Sequence, residues 1–197
     1  MIEIELGSRR VIIKNAILKI IFFAYMMIKK TFKYRKFNTE NYWKERAQQN
    51  KKSKILFKNE KYNKLLRGSQ KKFLETLIKD TKYESQKEIN ILDIGCGIGE
   101  LSKIIVEFNE KIKIDAVDYP VMIDVAQTIN TYPNITYIKS SAEEYLTDKE
   151  YDIIISSSCF SAIKDIEKMK KAISNCAKML NKESIFLMMD HFHKWGF

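Results

Sequence analysis

The stretch "INILDIGCGIGELSKII", Ile89 to Ile105, limits what this chain can fold into more than any other. An apolar run containing one acid, Asp93, leads into glycines at alternate positions, Gly95, Gly97 and Gly99. Helical spacing follows, with Leu101, Ile104, Ile105 and Phe108 on one face. A strand that turns through glycines into a helix is the opening of a βαβ unit. It brings backbone close to a ligand at the carboxyl end of a sheet.

The pattern continues to the end of the chain. "KIKIDAVD", "NITYIKS", "YDIIIS" and "ESIFLMMD" read as further strands, and "PVMIDVAQTI" and "DIEKMKKAISNCAKML" as the helices among them. Pro120 suits the first turn of its helix, where a missing amide proton costs nothing. In the second helix Ile166, Met169, Ile173, Cys176 and Leu180 recur at threes and fours. Strands that are apolar through their centres and alternate with helices predict a parallel sheet covered on both faces. The expected fold is α/β, a Rossmann-like, doubly wound, mostly parallel sheet with five recognisable strands and an N-terminal helical extension.

The glycine spacing departs from the dinucleotide pattern G-x-G-x-x-G, because the third position is Glu100. Its carboxylate lies in the first helical turn, where a pyrophosphate would sit, and would repel it. A cationic ligand without phosphate suits the turn better. "ILDIGCGIGELS" resembles the first motif of class I S-adenosylmethionine-dependent methyltransferases. The resemblance implies S-adenosylmethionine as cofactor, with Asp93 near the methionine ammonium and Gly95, Cys96 and Gly97 passing under the ligand. It makes Asp118, 19 positions after Gly99, the acceptor for both ribose hydroxyls, and sets Tyr119 beside the adenine. "SSAEEY" resembles the adenine-contacting segment: Ala142 offers backbone, Ser141 stands where the family often has Asp, and Glu143 is the candidate replacement. "YDIIISSSCF" resembles the fourth strand and the loop facing the methyl group, so Ser156 and Ser157 border cofactor and substrate. "NYWKERAQ" resembles the segment preceding this domain in small-molecule and glycan methyltransferases. There Tyr42 and Arg46 close over the cofactor carboxylate or pack on one helix face. The catalytic base is unassigned. His191 and His193 follow the fifth strand and either face the substrate or sit on a surface loop.

Charge separates the two halves. Residues 1–90 carry 23 Lys and Arg against 9 Asp and Glu, and the remainder carries 12 against 16. The basic excess lies outside the glycine-rich half and points to an anionic partner. Val11 to Ile28, "VIIKNAILKIIFFAYMMI", is interrupted by Lys14, Asn15 and Lys19, and a mid-membrane Lys costs about 2.5–3.5 kcal/mol. It reads as a helix in the interface of an anionic membrane, with a buried helix, a dimer contact or a span as alternatives. No cleavage site of the small-residue type follows it, so a cleaved signal peptide is not expected.

The expected organisation is an apolar and basic N-terminal helix over 1–36, a helical cap over 37–88, with an amphipathic helix at about 59–80, and a cofactor-binding core over 89–197. That helix is expected to turn Leu65, Leu66, Phe73, Leu74, Leu77 and Ile78 inward. The family sheet carries two more strands than this chain shows, so the core reads as C-terminally short. Its fifth strand is expected to be an open edge that favours a homodimer or aggregation. Cys96, Cys159 and Cys176 have no metal-like spacing, and no metal is expected; reduced thiols in a cytoplasmic protein fit them best. The function expected is methyl transfer to a small molecule or a lipid-linked or surface-glycan precursor, at the inner face of the membrane. A non-catalytic cofactor-binding protein and an RNA methyltransferase are the alternatives. Nucleic acid is not favoured, since no N/D-P-P-Y tetrad follows the fourth strand; Ser156 to Cys159 stand there.

Overall fold

The computed structural model describes residues 2–6, 9–13, 39–47, 60–79 and 88–190. The chain divides into two compact units, 1–38 and 39–197. In the first, β1 (Ile2–Leu6) and β2 (Arg9–Ile13) form an antiparallel pair, with Ile2 opposite Ile13 and Leu6 opposite Arg9. Val11 to Ile13 are therefore strand, where the sequence suggested the start of a helix. Their β-branched side chains favour a pleated conformation when a partner strand is at hand. The rest of the apolar segment, 14–28, lies outside the described residues, as do His191 and His193.

The second unit contains α1 (Thr39–Ala47), α2 (Glu60–Ile78), β3 (Ile89–Ile94), α3 (Glu100–Val106), β4 (Ile112–Asp118), α4 (Pro120–Ile129), β5 (Ile135–Lys139), β6 (Tyr151–Ser157), α5 (Ile166–Lys178) and β7 (Leu180–Met189). The five strands pair in the order β5-β4-β3-β6-β7, all parallel. The order reverses beside β3, which has β4 on one side and β6 on the other. A crevice opens at the carboxyl ends of strands at such a reversal.

Strand alternation divides the core into two layers. Ile89, Ile91, Ile112, Ile114, Ile153 and Ile155 face one way and pack with Leu101 and Ile105 of α3 and Leu74 and Ile78 of α2. Leu92, Ile94, Val117 and Ile154 face the other way and pack with Phe160, Ala172 and Cys176. Both sheet faces are thus covered, which explains strands without polar alternation. Pro120 does occupy the first turn of α4. Asp165 caps α5, its carboxylate accepting from the amides of Glu167 (2.9 Å) and Lys168 (3.2 Å).

Helix α2 follows its expected range and, for Leu66, Leu74, Leu77 and Ile78, its expected face; Leu65 and Phe73 depart from it. Leu74 and Ile78 are buried, whereas Leu65 is 72% and Phe73 53% exposed. The row facing the sheet runs 66–70–74–78, an i+4 row, and it includes the buried Gln70. Leu65 and Phe73 each precede a member of that row by one residue, about 100° around the helix.

Candidate cofactor site

Above the carboxyl ends of β3, β4 and β6 lies a cleft of about 810 Å³, counting the part open to solvent. Its floor is the glycine loop. Gly95, Gly97 and Gly99 all have positive φ, at 77°, 60° and 77°. At Gly95 a Cβ would overlap the Cys159 side chain, and the left-handed backbone would strain any other residue. The Gly97 amide donates to Asp118 Oδ2 at 2.7 Å.

Asp118, at the end of β4, holds two backbone amides at once. Oδ2 accepts from Gly97, and Oδ1 accepts from Tyr119 at 2.7 Å. Each carboxylate oxygen keeps a further lone pair for a ligand. Burial lifts this group to about 6; the Gly97 and Tyr119 amides pull it down, and Asp93 adds to the rise.

Asp93 is buried one residue before the end of β3 and accepts from Ser102 Oγ at 2.5 Å. Burial raises it to about 6, against the pull of Ser102 and of the Arg67 guanidinium. It is not among the residues lining the cleft, and its carboxylate turns to Ser102 of α3 instead. Ser156 does not line the cleft either. It is fully buried and donates to Asp190 Oδ2 at 2.9 Å, and the other oxygen of Asp190 accepts from the Ser161 amide. Alternation along β6 explains this: the residue that opens into the cleft is Ser157, followed by Ser158 at φ 63°.

The remaining sequence-derived positions, Gly95, Cys96, Gly97, Asp118, Tyr119, Ser141, Ala142 and Glu143, all line the cleft. Glu143 is buried, and its Oε1 accepts from Lys168 Nζ at 2.9 Å. Burial alone would raise its pKa; Lys168, together with smaller hydrogen-bond contributions, outweighs that and holds it below the usual carboxylate range. Glu143 Oε2 and Ser141 Oγ are buried in the cleft wall without a hydrogen-bond partner among the described residues. Burial drives the Cys96 and Cys159 thiols well up, so neither is a ready nucleophile.

Tyr42 and Arg46 are brought together but not into the lining. Arg46 Nη1 donates to Tyr42 Oη at 2.7 Å, and its guanidinium stands over the Tyr42 and Trp43 rings. Their helix instead presents Thr39 and Trp43 to the cleft. Among the lining residues not assigned to the site from sequence are Thr39, Trp43, Arg67 and Cys159. Arg67 looked like one more cation on a basic helix. The available signal was Gln70, a polar residue on the apolar row of α2.

The cleft presents unfilled acceptors at Asp118, Ser141 and Glu143, and Glu100 adds a carboxylate. Such a lining fits a ligand rich in donors and positive charge and opposes one carrying phosphates. The methyltransferase-domain family matches residues 85–195, more than half of the chain. The chain belongs to this family. Its five parallel strands and glycine loop make it a class I, S-adenosylmethionine-dependent type of methyltransferase fold. The chain is 31% identical over 121 residues to the malonyl-[acyl-carrier protein] O-methyltransferase of Bacillus anthracis, covering 60% of this chain and 44% of that protein. It is 37% identical over 85 residues to malonyl-[acyl-carrier protein] O-methyltransferase 1 of Ilyobacter polytropus, covering 42% and 32%. It therefore spans less than half the length of these relatives. Among solved structures it is similar to the N-methyltransferase NodS of Bradyrhizobium japonicum in complex with S-adenosyl-L-homocysteine. The TM-score is 0.56 at 20% identity, covering 74% of this chain and 69% of that one. At that identity the likeness concerns the fold.

Proposed function

We propose that this methyltransferase domain binds S-adenosylmethionine in the cleft and directs its methyl group to an oxygen of a small molecule. The observation that carries the reading is Asp118. Its carboxylate fixes the glycine loop through Gly97 and keeps two lone pairs for the ribose hydroxyls. Glu143 Oε2 and Ser141 Oγ are acceptors for the adenine amino group, so Glu143 serves where the family often has Asp. Asp93 acts on the methionine ammonium at a distance, through the field of a buried charge rather than by contact. When bound, the cofactor supplies a methyl group already activated by its sulfonium.

The chain's own task is then to exclude water and align an acceptor with that carbon. The apolar wall of Met122, Ala142, Ala162 and Ile163 excludes water on the adenine side. Ser157 and Ser158, at the end of β6, border the acceptor. The acceptor oxygen is supported by the relatives named O-methyltransferases. The test is transfer of labelled methyl from S-adenosylmethionine into small-molecule, lipid, glycan and RNA fractions. Label confined to the small-molecule fraction is expected. Label in RNA, or no binding of S-adenosyl-L-homocysteine by calorimetry, would sink the reading.

A further inference from the structure

Helix α2 precedes the segment that the family matches, yet it sends a linked set of polar side chains into the cleft. Arg67 lines the cleft with its side chain 17% exposed. Its Nη1 donates to Gln70 Oε1 at 2.8 Å, and Gln70 Nε2 donates to Ser157 Oγ at 2.9 Å. Gln70 is 6% exposed, so this relay is sealed from water on the helix side. Arg67 Nε stands 3.7 Å from Glu100 Oε2, an ion pair too long for a hydrogen bond, and has no hydrogen-bond partner among the described residues.

The consequence is a surplus of donors at one corner of an otherwise acceptor-rich cleft. A guanidinium has five N–H groups, and only one is engaged here by a short bond. Gln70 uses Ser157 Oγ as an acceptor, which leaves the serine hydroxyl proton free to turn toward a ligand. Burial lowers the pKa of Arg67, and Glu100 and then Asp93 oppose that; a guanidinium keeps its charge in proteins. A desolvated, positioned guanidinium with spare donors beside a hydroxyl donor matches a carboxylate, which takes a bidentate contact.

We infer that Arg67, held by Gln70 and Glu100 and joined by the Ser157 hydroxyl, forms a carboxylate-binding subsite in the cleft. It rests on the cofactor reading above. The carboxylate belongs either to the methionine part of the cofactor or to the methyl acceptor. Gln70 is a positioning residue, since it reaches the ligand only through Arg67 and Ser157.

The experiment compares matched ligands within each variant, so that a loss of folded protein cancels. S-adenosylmethionine and its decarboxylated form are titrated into wild type, Arg67→Gln and Gln70→Leu by calorimetry. Malonyl-coenzyme A and acetyl-coenzyme A are titrated into the same three proteins saturated with S-adenosyl-L-homocysteine. One pair is expected to show a wild-type preference of about tenfold or more for the carboxylate-bearing ligand. Arg67→Gln should erase that preference, and Gln70→Leu should reduce it. Preference in the first pair assigns the cofactor as the source, and preference in the second assigns the acceptor. A preference that survives Arg67→Gln, or none in either pair, overturns the subsite. A wild type that binds no adenosyl ligand at all sinks the cofactor reading and this inference together. A wild type that binds them without discrimination sinks the subsite alone.

Discussion

Asp118 carries two duties that a single substitution separates. Asp118→Asn keeps one acceptor oxygen, while Asp118→Ala releases the Gly97 amide and would remove both of the proposed ribose contacts. Hydrogen bonds to a charged group are worth about 1.5–3 kcal/mol each. Asp118→Ala should therefore weaken S-adenosyl-L-homocysteine at least tenfold by calorimetry, with Asn falling between. No variant should gain affinity for NAD. The buried carboxylates also set a pH dependence. Asp93 and Asp118 are each raised from an ordinary 3.8 to about 6. The folded chain then binds these protons more tightly than the unfolded chain does. Their contribution favours folding below about pH 4 and is lost as pH rises through about 6. A cationic ligand prefers the ionised pair, so its affinity runs the opposite way and falls as pH drops below 6. The thermal shift produced by S-adenosylmethionine should thus be larger at pH 7.5 than at pH 5.5. Equal shifts at both would show that neither carboxylate titrates with the ligand.

At the scale of elements, the ends of α5 and β7 make separate demands. Asp165 satisfies two free amides of α5, and Lys168 in that same first turn reaches Glu143. Asp165→Ala should cost about 0.5–2 kcal/mol, read from denaturant unfolding. It should also loosen the adenine wall, because α5 carries the lysine that orients Glu143. A loss of stability with unchanged cofactor affinity would separate the two effects and refute the second. Strand β7 pairs with β6 on one side, and among the described residues no strand covers its other side. Ile185 to Met189 remain only half-buried along that edge. An edge of this kind recruits further strands. Self-association with rising concentration is expected by light scattering, and Leu187→Lys should reduce it. Monodisperse monomer at high concentration would count against the edge.

At the scale of the molecule, the basic excess lies largely before the cofactor-binding core, and no helix among the described residues is long and apolar enough to cross a membrane. We propose that residues 1–36 attach the protein to an anionic membrane surface. Flotation with vesicles containing anionic lipid should carry the full chain and leave a chain without residues 1–36 behind. Cosedimentation of neither at low salt would end the idea. Binding of both would move the attachment to α2, whose Tyr62, Leu65 and Phe73 are exposed.

The order of strands and helices from Ile89 onward was readable because each depends on local spacing. Continuous apolar runs gave strands, threes and fours gave helices, and Pro120 and the glycines gave their junctions. The glycine loop, Asp118 and the Ser141–Glu143 segment were readable for a related reason: each sits within a few residues of a strand end. Other features depended on contacts between segments far apart in sequence. That β1 and β2 pair requires two strands to meet, and the apolar spacing of Val11 to Ile28 suits a helix equally well. That Ser157 rather than Ser156 opens into the cleft depends on which face of β6 meets Asp190, 34 positions later. The relay from Arg67 to Ser157 crosses 87 positions between Gln70 and the serine. A basic helix shows its cations as a solvated face until packing turns one of them inward. Only the tertiary structure decided that, because desolvation is a property of the assembled neighbourhood and not of a residue's place in the chain.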